Sequence, residues 1–192
     1  MFDSPTGKKT LADLFGPRSQ LAIYHFMLTP GLEHICDGCA HVADHVDSAR
    51  QHFEQADLSF AAVSRAPLER IEQVLKRMSW KFAWVSSQGS DFNHDFGVSF
   101  TDEQIANRPT SYNYGTTDYA EADLPGASVF VKDEHSAVYH SYSTYARGLE
   151  LLCGSFNWLD LVPKGRNEAG LMSWLRLHDE YEGEAHVHSC CA

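Results

Sequence analysis

No stretch of the 192-residue chain approaches the roughly 20 apolar residues that a membrane-spanning helix needs. The most apolar segment, Leu21 to Leu28, is short and carries His25, so it reads as a buried strand. The opening MFDSPTGKKT lacks the apolar stretch of a secretory signal, so a cytoplasmic, reducing compartment is expected. Positive charge is scarce. Fifteen Lys and Arg stand against 26 Asp and Glu, a formal net charge of −11. A chain that acidic repels a phosphate backbone, so neither nucleic acid nor a membrane is an expected partner. The five cysteines are an odd number, which argues against a fully paired disulfide scaffold. Internal repeats and low-complexity tracts are also lacking, and 12% aromatic residues argue for a packed core. The length suits one domain, expected over residues 1–183, with residues 184–192 as a flexible tail.

The local patterns give an order of elements. Thr10 and Asp13 form a capping-box pair for a short helix over Leu11 to Phe15, stopped by Gly16-Pro17. After the strand at Leu21 to Leu28, Val42, Val46, Ala49, Phe53 and Ala56 recur at steps of four and three, which marks one helical face running on from Cys39. Leu58 to Ser64 reads as a second strand. Pro67 opens a second helix striped by Leu68, Ile71, Leu75 and Met78, and Phe82 to Ser86 is a third strand. Ser86 to Gly97 reads as a loop, and Thr101 with Gln104 caps a short helix over Asp102 to Ala106. Residues 108–125 read as a long loop. Ser128 to Lys132 and Val138 to Tyr142 form a hairpin, and two helices follow at Arg147 to Leu152 and Leu171 to Tyr181. Alternating strands and helices imply parallel pairing with right-handed crossovers, and the hairpin adds antiparallel strands. The expected fold is α/β: a thioredoxin-like three-layer sandwich with a mixed central sheet and helices on both faces.

Cys36-Asp37-Gly38-Cys39 falls between the first buried strand and the long helix. Unpaired N–H groups and the macrodipole at a helix N-terminus favour an anion, and the thiolate is the nucleophile of thiol chemistry. A two-residue gap lets the second sulfur attack a mixed disulfide made by the first. Cys36 is therefore the expected attacking thiol and Cys39 the resolving one. Asp37 opposes ionisation of Cys36, and His34 offsets it when protonated. A peroxiredoxin-type site is disfavoured, because Glu33 occupies the position three before Cys36 where a hydroxyl belongs. The phrase from Gly7-Lys8 to Phe15 nonetheless resembles the opening of peroxiredoxin-type chains.

Several phrases resemble one bacterial family as a set: TLADLF at Thr10 to Phe15, YHFM at Tyr24 to Met27, the C-x-x-C, VSRAPLERIE at Val63 to Glu72, GSDFNHDFGVSF at Gly89 to Phe100, YSTYARGLELL at Tyr142 to Leu152 and LDLVPKGRNE at Leu159 to Glu168. This is the thioredoxin-like domain of unknown function 899 family, and the resemblance spans nearly the whole chain. It implies the thioredoxin-like fold and leaves activity open. In the family pattern a Tyr stands where this chain has His94.

Residues after the strand ends are expected to gather around the dithiol, since ligands bind open α/β sheets at the C-terminal ends of their strands. Arg65 could stabilise a Cys36 thiolate or an anionic substrate, or pair with Glu69 at the surface. Asp91 and Asn93 either join the site or cap their loop. Pro125 precedes the hairpin strand, where thioredoxin-like folds often carry a cis-Pro facing the dithiol. The leading expectation is a thiol–disulfide oxidoreductase that needs no dissociable cofactor and acts on a protein or small-molecule disulfide or thiol. Two alternatives stand beside it. One is a zinc- or copper-binding module using the dithiol with His34, His41 and His45, and the other is a scaffold without redox activity. His186, His188, Cys190 and Cys191 in the tail add further soft ligands.

Overall fold

A computed structural model describes residues 1–107, 110–119 and 121–181. The expected tail, with His186, His188, Cys190 and Cys191, lies outside the described residues. Strands β1 (Phe2–Ser4) and β2 (Gly7–Lys9) form a small hairpin, and a 3-10 helix follows at Ala12–Phe15. Then come β3 (Gln20–His25), α1 (Asp37–Gln55), β4 (Leu58–Ser64), α2 (Leu68–Met78) and β5 (Ala83–Ser86). Two short helices, α3 (Phe92–Asp95) and α4 (Asp102–Ala106), precede the long hairpin β6 (Gly126–Lys132) and β7 (Val138–Tyr145). A 3-10 helix at Ala146–Leu152, α5 (Gly154–Leu159) and a 3-10 turn at His178–Glu180 complete the described chain.

Among the described residues the strands form one sheet in the order β2-β1-β5-β4-β3-β6-β7. The crossovers make β3, β4 and β5 parallel, with Leu21 opposite Ser59 and Val63 opposite Val85. β6 runs antiparallel to β3, and β7 antiparallel to β6 with an irregularity between Val129 and Phe130. Because both helical crossovers step the same way across the sheet, α1 and α2 lie on one face. There Tyr24, Phe26, Ala62 and Trp84 meet Ala40 and Ala43 of α1 and Ile71, Val74 and Met78 of α2. Each of the larger apolar side chains so buried contributes about 1.5–3 kcal/mol. The alternate residues Leu21, Ile23, Ala61, Val63 and Val85 face the other way, onto Phe2, Phe15 and the partly buried Phe92 and Phe96.

Local signals acted where they were read. Thr10 and Asp13 exchange hydrogen bonds at the first 3-10 helix, and Thr101 and Gln104 form the full capping box of α4. Other expectations are corrected. The first strand ends its ladder at His25, although Phe26 and Leu28 stay buried. The stretch read as a loop from Ser86 to Gly97 contains α3. A left-handed turn, with Asn113 at φ 47° and Tyr114 at φ 59°, interrupts the long loop. The helix expected over Leu171 to Tyr181 is absent: residues 171–174 are turns and only His178–Glu180 is 3-10 helical. Met172 takes φ 53°, which no right-handed helix allows, and buried Leu175 and Leu177 alternate with the less buried Arg176, as in an extended chain.

Candidate functional site

The dithiol sits where α1 begins. Cys36 is the N-cap residue, with extended backbone at φ −64° and ψ 116°, and its sulfur accepts the Cys39 N–H at 3.3 Å. A sulfur thus satisfies one of the orphan amides that the start of a helix leaves open. The Met27 N–H points at the Cys39 sulfur from 3.4 Å, which ties the second thiol to the chain leaving β3. Both side chains are buried, Cys36 at 7% exposure and Cys39 at 1%.

Both sulfurs line a cavity of about 410 Å³. Its wall also includes Tyr24 of β3, Tyr112 of the long loop, Leu149 and Cys153 from the segment after β7, and Met172 of the C-terminal turns. Met172 packs next to Gly38, its Sδ 3.6 Å from where a Cβ on that residue would lie, so the C-terminal segment reaches the start of α1. The Tyr112 hydroxyl donates to the Pro125 carbonyl at 2.8 Å and accepts the Ala146 N–H at 2.8 Å, which pins the loop to both strands at the open end of the hairpin.

The electrostatics disfavour a Cys36 thiolate. The Cys36 thiol is held well above its ordinary range, first by its hydrogen bond with the Cys39 side chain, then by burial and by the Cys39 and Asp37 charges. The Cys39 backbone N–H pulls the other way and does not prevail. Tyr24 is pushed up as well, by burial first and then by the neighbouring sulfurs. A buried Cys36 thiol raised in this way is not an activated thiolate open to solvent.

Of the residues proposed from sequence, Asp37 and Pro125 line the cavity beside Cys36 and Cys39. His34 is exposed on the approach to α1 and lies outside the lining. Arg65 faces elsewhere. Its guanidinium grips Asp123 with two hydrogen bonds of 2.7 and 3.1 Å, and Ser99 donates to the same carboxylate. Asp91 is an exposed residue that starts α3, its carbonyl accepting the Asp95 N–H. Asn93 is buried and serves its own loop, its side-chain oxygen accepting from Ser87 Oγ at 2.9 Å. His41 and His45 share one helix face, as their spacing requires, but among the described residues their ligand atoms cluster with Cys153 and not with the dithiol. Cys153 stands far from the dithiol in sequence, and no spacing rule connects the two. The one hint lay in the phrases at Tyr142 to Leu152 that lead up to it.

The architecture recurs among solved structures. A cysteine-to-serine mutant of peroxiredoxin Q from Xanthomonas campestris is similar at 12% identity, over 82% of this chain and 89% of that one, with a TM-score of 0.51. Peroxidoxin BcpB from Mycobacterium tuberculosis is similar at 14% identity, over 79% and 89%, with a TM-score of 0.50. At such identities the likeness establishes the fold, which is α/β and thioredoxin-like. No curated protein matches the chain. No helix among the described residues is long and apolar enough to cross a membrane. The family described as bacterial protein of unknown function (DUF899) matches residues 1–181, as the phrases along the sequence lead one to expect, and the chain belongs to it.

Proposed function

We propose that the protein is a thiol–disulfide oxidoreductase that works through Cys36 and Cys39. The observation that carries this reading is the position of the two sulfurs. They lie one helical turn apart at the N-terminus of α1, with the Cys36 sulfur 3.3 Å from the Cys39 amide, on the wall of one cavity. In the reductive direction the Cys36 thiolate attacks a substrate disulfide, forms a mixed disulfide and expels the first substrate thiolate. The Cys39 thiolate then attacks the Cys36 sulfur and expels the second. The substrate gains two electrons and two protons, and the dithiol becomes a disulfide. The sheet edge supports the same reading, because β3 delivers the dithiol to the C-terminal side of the parallel strands, where ligands of open α/β sheets bind.

A peroxidase reading finds less support. Glu33 stands where a hydroxyl would be needed, Arg65 is committed to Asp123, and the Cys36 thiol is raised instead of lowered. The substrate of the proposed reaction is a protein or small-molecule disulfide, no dissociable cofactor takes part, and the place of action is the cytoplasm, where reduced thiols prevail. Trapping tests the roles. The Cys39→Ser variant should accumulate mixed disulfides with partner thiols, and Cys36→Ser should accumulate few, as seen on non-reducing gels and by mass spectrometry. Equal trapping by both variants, or persistent free thiols at both positions under mild oxidant, would sink the assignment.

A further inference from the structure

Beside the dithiol, on the same cavity wall, lies a second group of soft ligands that the proposed redox reaction does not use. We propose that His41, His45 and Cys153 form a zinc site, with its fourth position open to the dithiol cavity.

The three side chains come from two elements. His41 and His45 sit one turn apart on α1, and Cys153 is the N-cap residue of α5. Their ligand atoms all lie within 4.8 Å of one another. Zinc bonds of about 2.0–2.3 Å give tetrahedral ligand-to-ligand distances of roughly 3.3–3.8 Å, so the group has to draw in by about 1 Å. Two imidazoles and one thiolate are the borderline donor set that zinc takes, and three protein ligands with one open position is the arrangement of its reactive sites.

The surroundings are also those of a ligand site. Cys153 is 3% exposed, and its thiol is free, with no hydrogen-bond partner among the described residues. The Nε2 atoms of both histidines converge on Ser155: His41 meets its hydroxyl, and His45 accepts its backbone N–H at 2.9 Å. That places both Nε2 atoms beside the residue that follows Cys153-Gly154. The other nitrogen of His45 donates to the His41 carbonyl at 2.7 Å. A backbone carbonyl on the far nitrogen is the usual device for fixing a ligand imidazole in the tautomer that binds metal. The His45 ring lies directly against Gly154, 3.4 Å from where a Cβ on that residue would stand. His41 and Cys153 line the cavity, which gives an ion a path in and leaves room for a water or substrate ligand. Binding replaces the Cys153 thiol proton and the two bonds to Ser155, and it releases one proton.

The test uses the full chain, stripped with a chelator and titrated with zinc sulfate against a chromophoric competitor, and separately with cobalt(II). The expected result is one equivalent of zinc, and a thiolate-to-cobalt charge-transfer band in the near ultraviolet. Cys153→Ser should lose the band and weaken zinc more than about 100-fold. His45→Gln, at a half-buried position, should weaken zinc while far-ultraviolet circular dichroism reports an intact fold. A Cys36→Ser/Cys39→Ser double variant should keep both signals. So should a variant with His186→Ala, His188→Ala, Cys190→Ser and Cys191→Ser. Absence of saturable zinc binding in the wild type overturns the proposal, as does binding that survives Cys153→Ser or is lost from the dithiol or tail variant. None of these readouts involves disulfide exchange, so the site stands or falls separately from the redox reading.

Discussion

Acid should destabilise the fold through His25, and the size of the effect can be worked out in advance. The imidazole is 1% exposed at the end of β3, against the paired rings of Phe92 at 5.6 Å and Phe96 at 5.5 Å. Its Nε2 bonds Ser128 Oγ at 2.9 Å, and its Nδ1 has no partner among the described residues. A second proton would therefore leave a buried, charged N–H with no partner among the described residues, in the field of His140 of β7. Burial, helped by the His140 charge, lowers the His25 pKa to about 3. The unfolded chain takes up the proton near pH 6.5, so the unfolded state binds more protons between about pH 6.5 and 3, and stability falls as the pH falls through that window. From about pH 7.5 to 5 the linkage amounts to about 2 kcal/mol, roughly 30-fold in the folded-to-unfolded ratio. His25→Phe removes the titration and fills similar volume. Ser128 keeps its bond to Ser143 at 2.9 Å, so the variant should stay within about 1.5 kcal/mol of wild type near neutral pH. Urea unfolding at several pH values, with m held constant, measures both proteins. The difference between their pH slopes isolates His25 from other groups, including His41, which burial lowers to about 4. Parallel slopes for wild type and His25→Phe would refute the reasoning.

Two more results are expected. Asp37→Asn removes a charge that raises the Cys36 thiol, so alkylation of the Cys36 peptide near neutral pH should speed up by about threefold, with the rate still rising at alkaline pH; an unchanged or slower rate contradicts this. Arg65→Ala strands the Asp123 carboxylate, whose side chain is only 5% exposed, and should cost about 3 kcal/mol in urea unfolding. Cys36 alkylation should stay within about twofold, because Arg65 lies outside the cavity; a large loss of thiol reactivity without loss of stability would return Arg65 to the dithiol.

What the sequence revealed was local. The capping box of Thr101 and Gln104 spans three residues and forms as written, and Leu58–Ser64 is a strand from end to end, because each rests on neighbours along the chain. The dithiol was visible for the same reason, being a short motif on one strand-to-helix turn. The N-terminal hairpin escaped notice because strands of three residues are too short to show a period. The C-terminal segment misled because Leu171 and Leu175 sit at helical spacing, whereas the buried pair is Leu175 and Leu177. Partners across long separations left no mark at all. Arg65 offered Glu69 four residues away, and the fold gave it Asp123, 58 residues on. The imidazoles at 41 and 45 suggested the nearby dithiol, and the fold gave them Cys153.

The closing of the cavity by late-arriving residues has a consequence during synthesis. Cys36 and Cys39 leave the ribosome roughly 120 residues ahead of Cys153 and further still ahead of Met172, a delay of about 6–25 s at ordinary elongation rates. Through that interval the wall formed by Leu149, Cys153 and Met172 does not exist, and the burial that, after the Cys39 hydrogen bond, raises the Cys36 thiol is incomplete. The nascent dithiol is thus less enclosed than the finished one. Enclosure of the two sulfurs therefore waits on residues in the last third of the chain, so how open the dithiol is depends on segments made long after it.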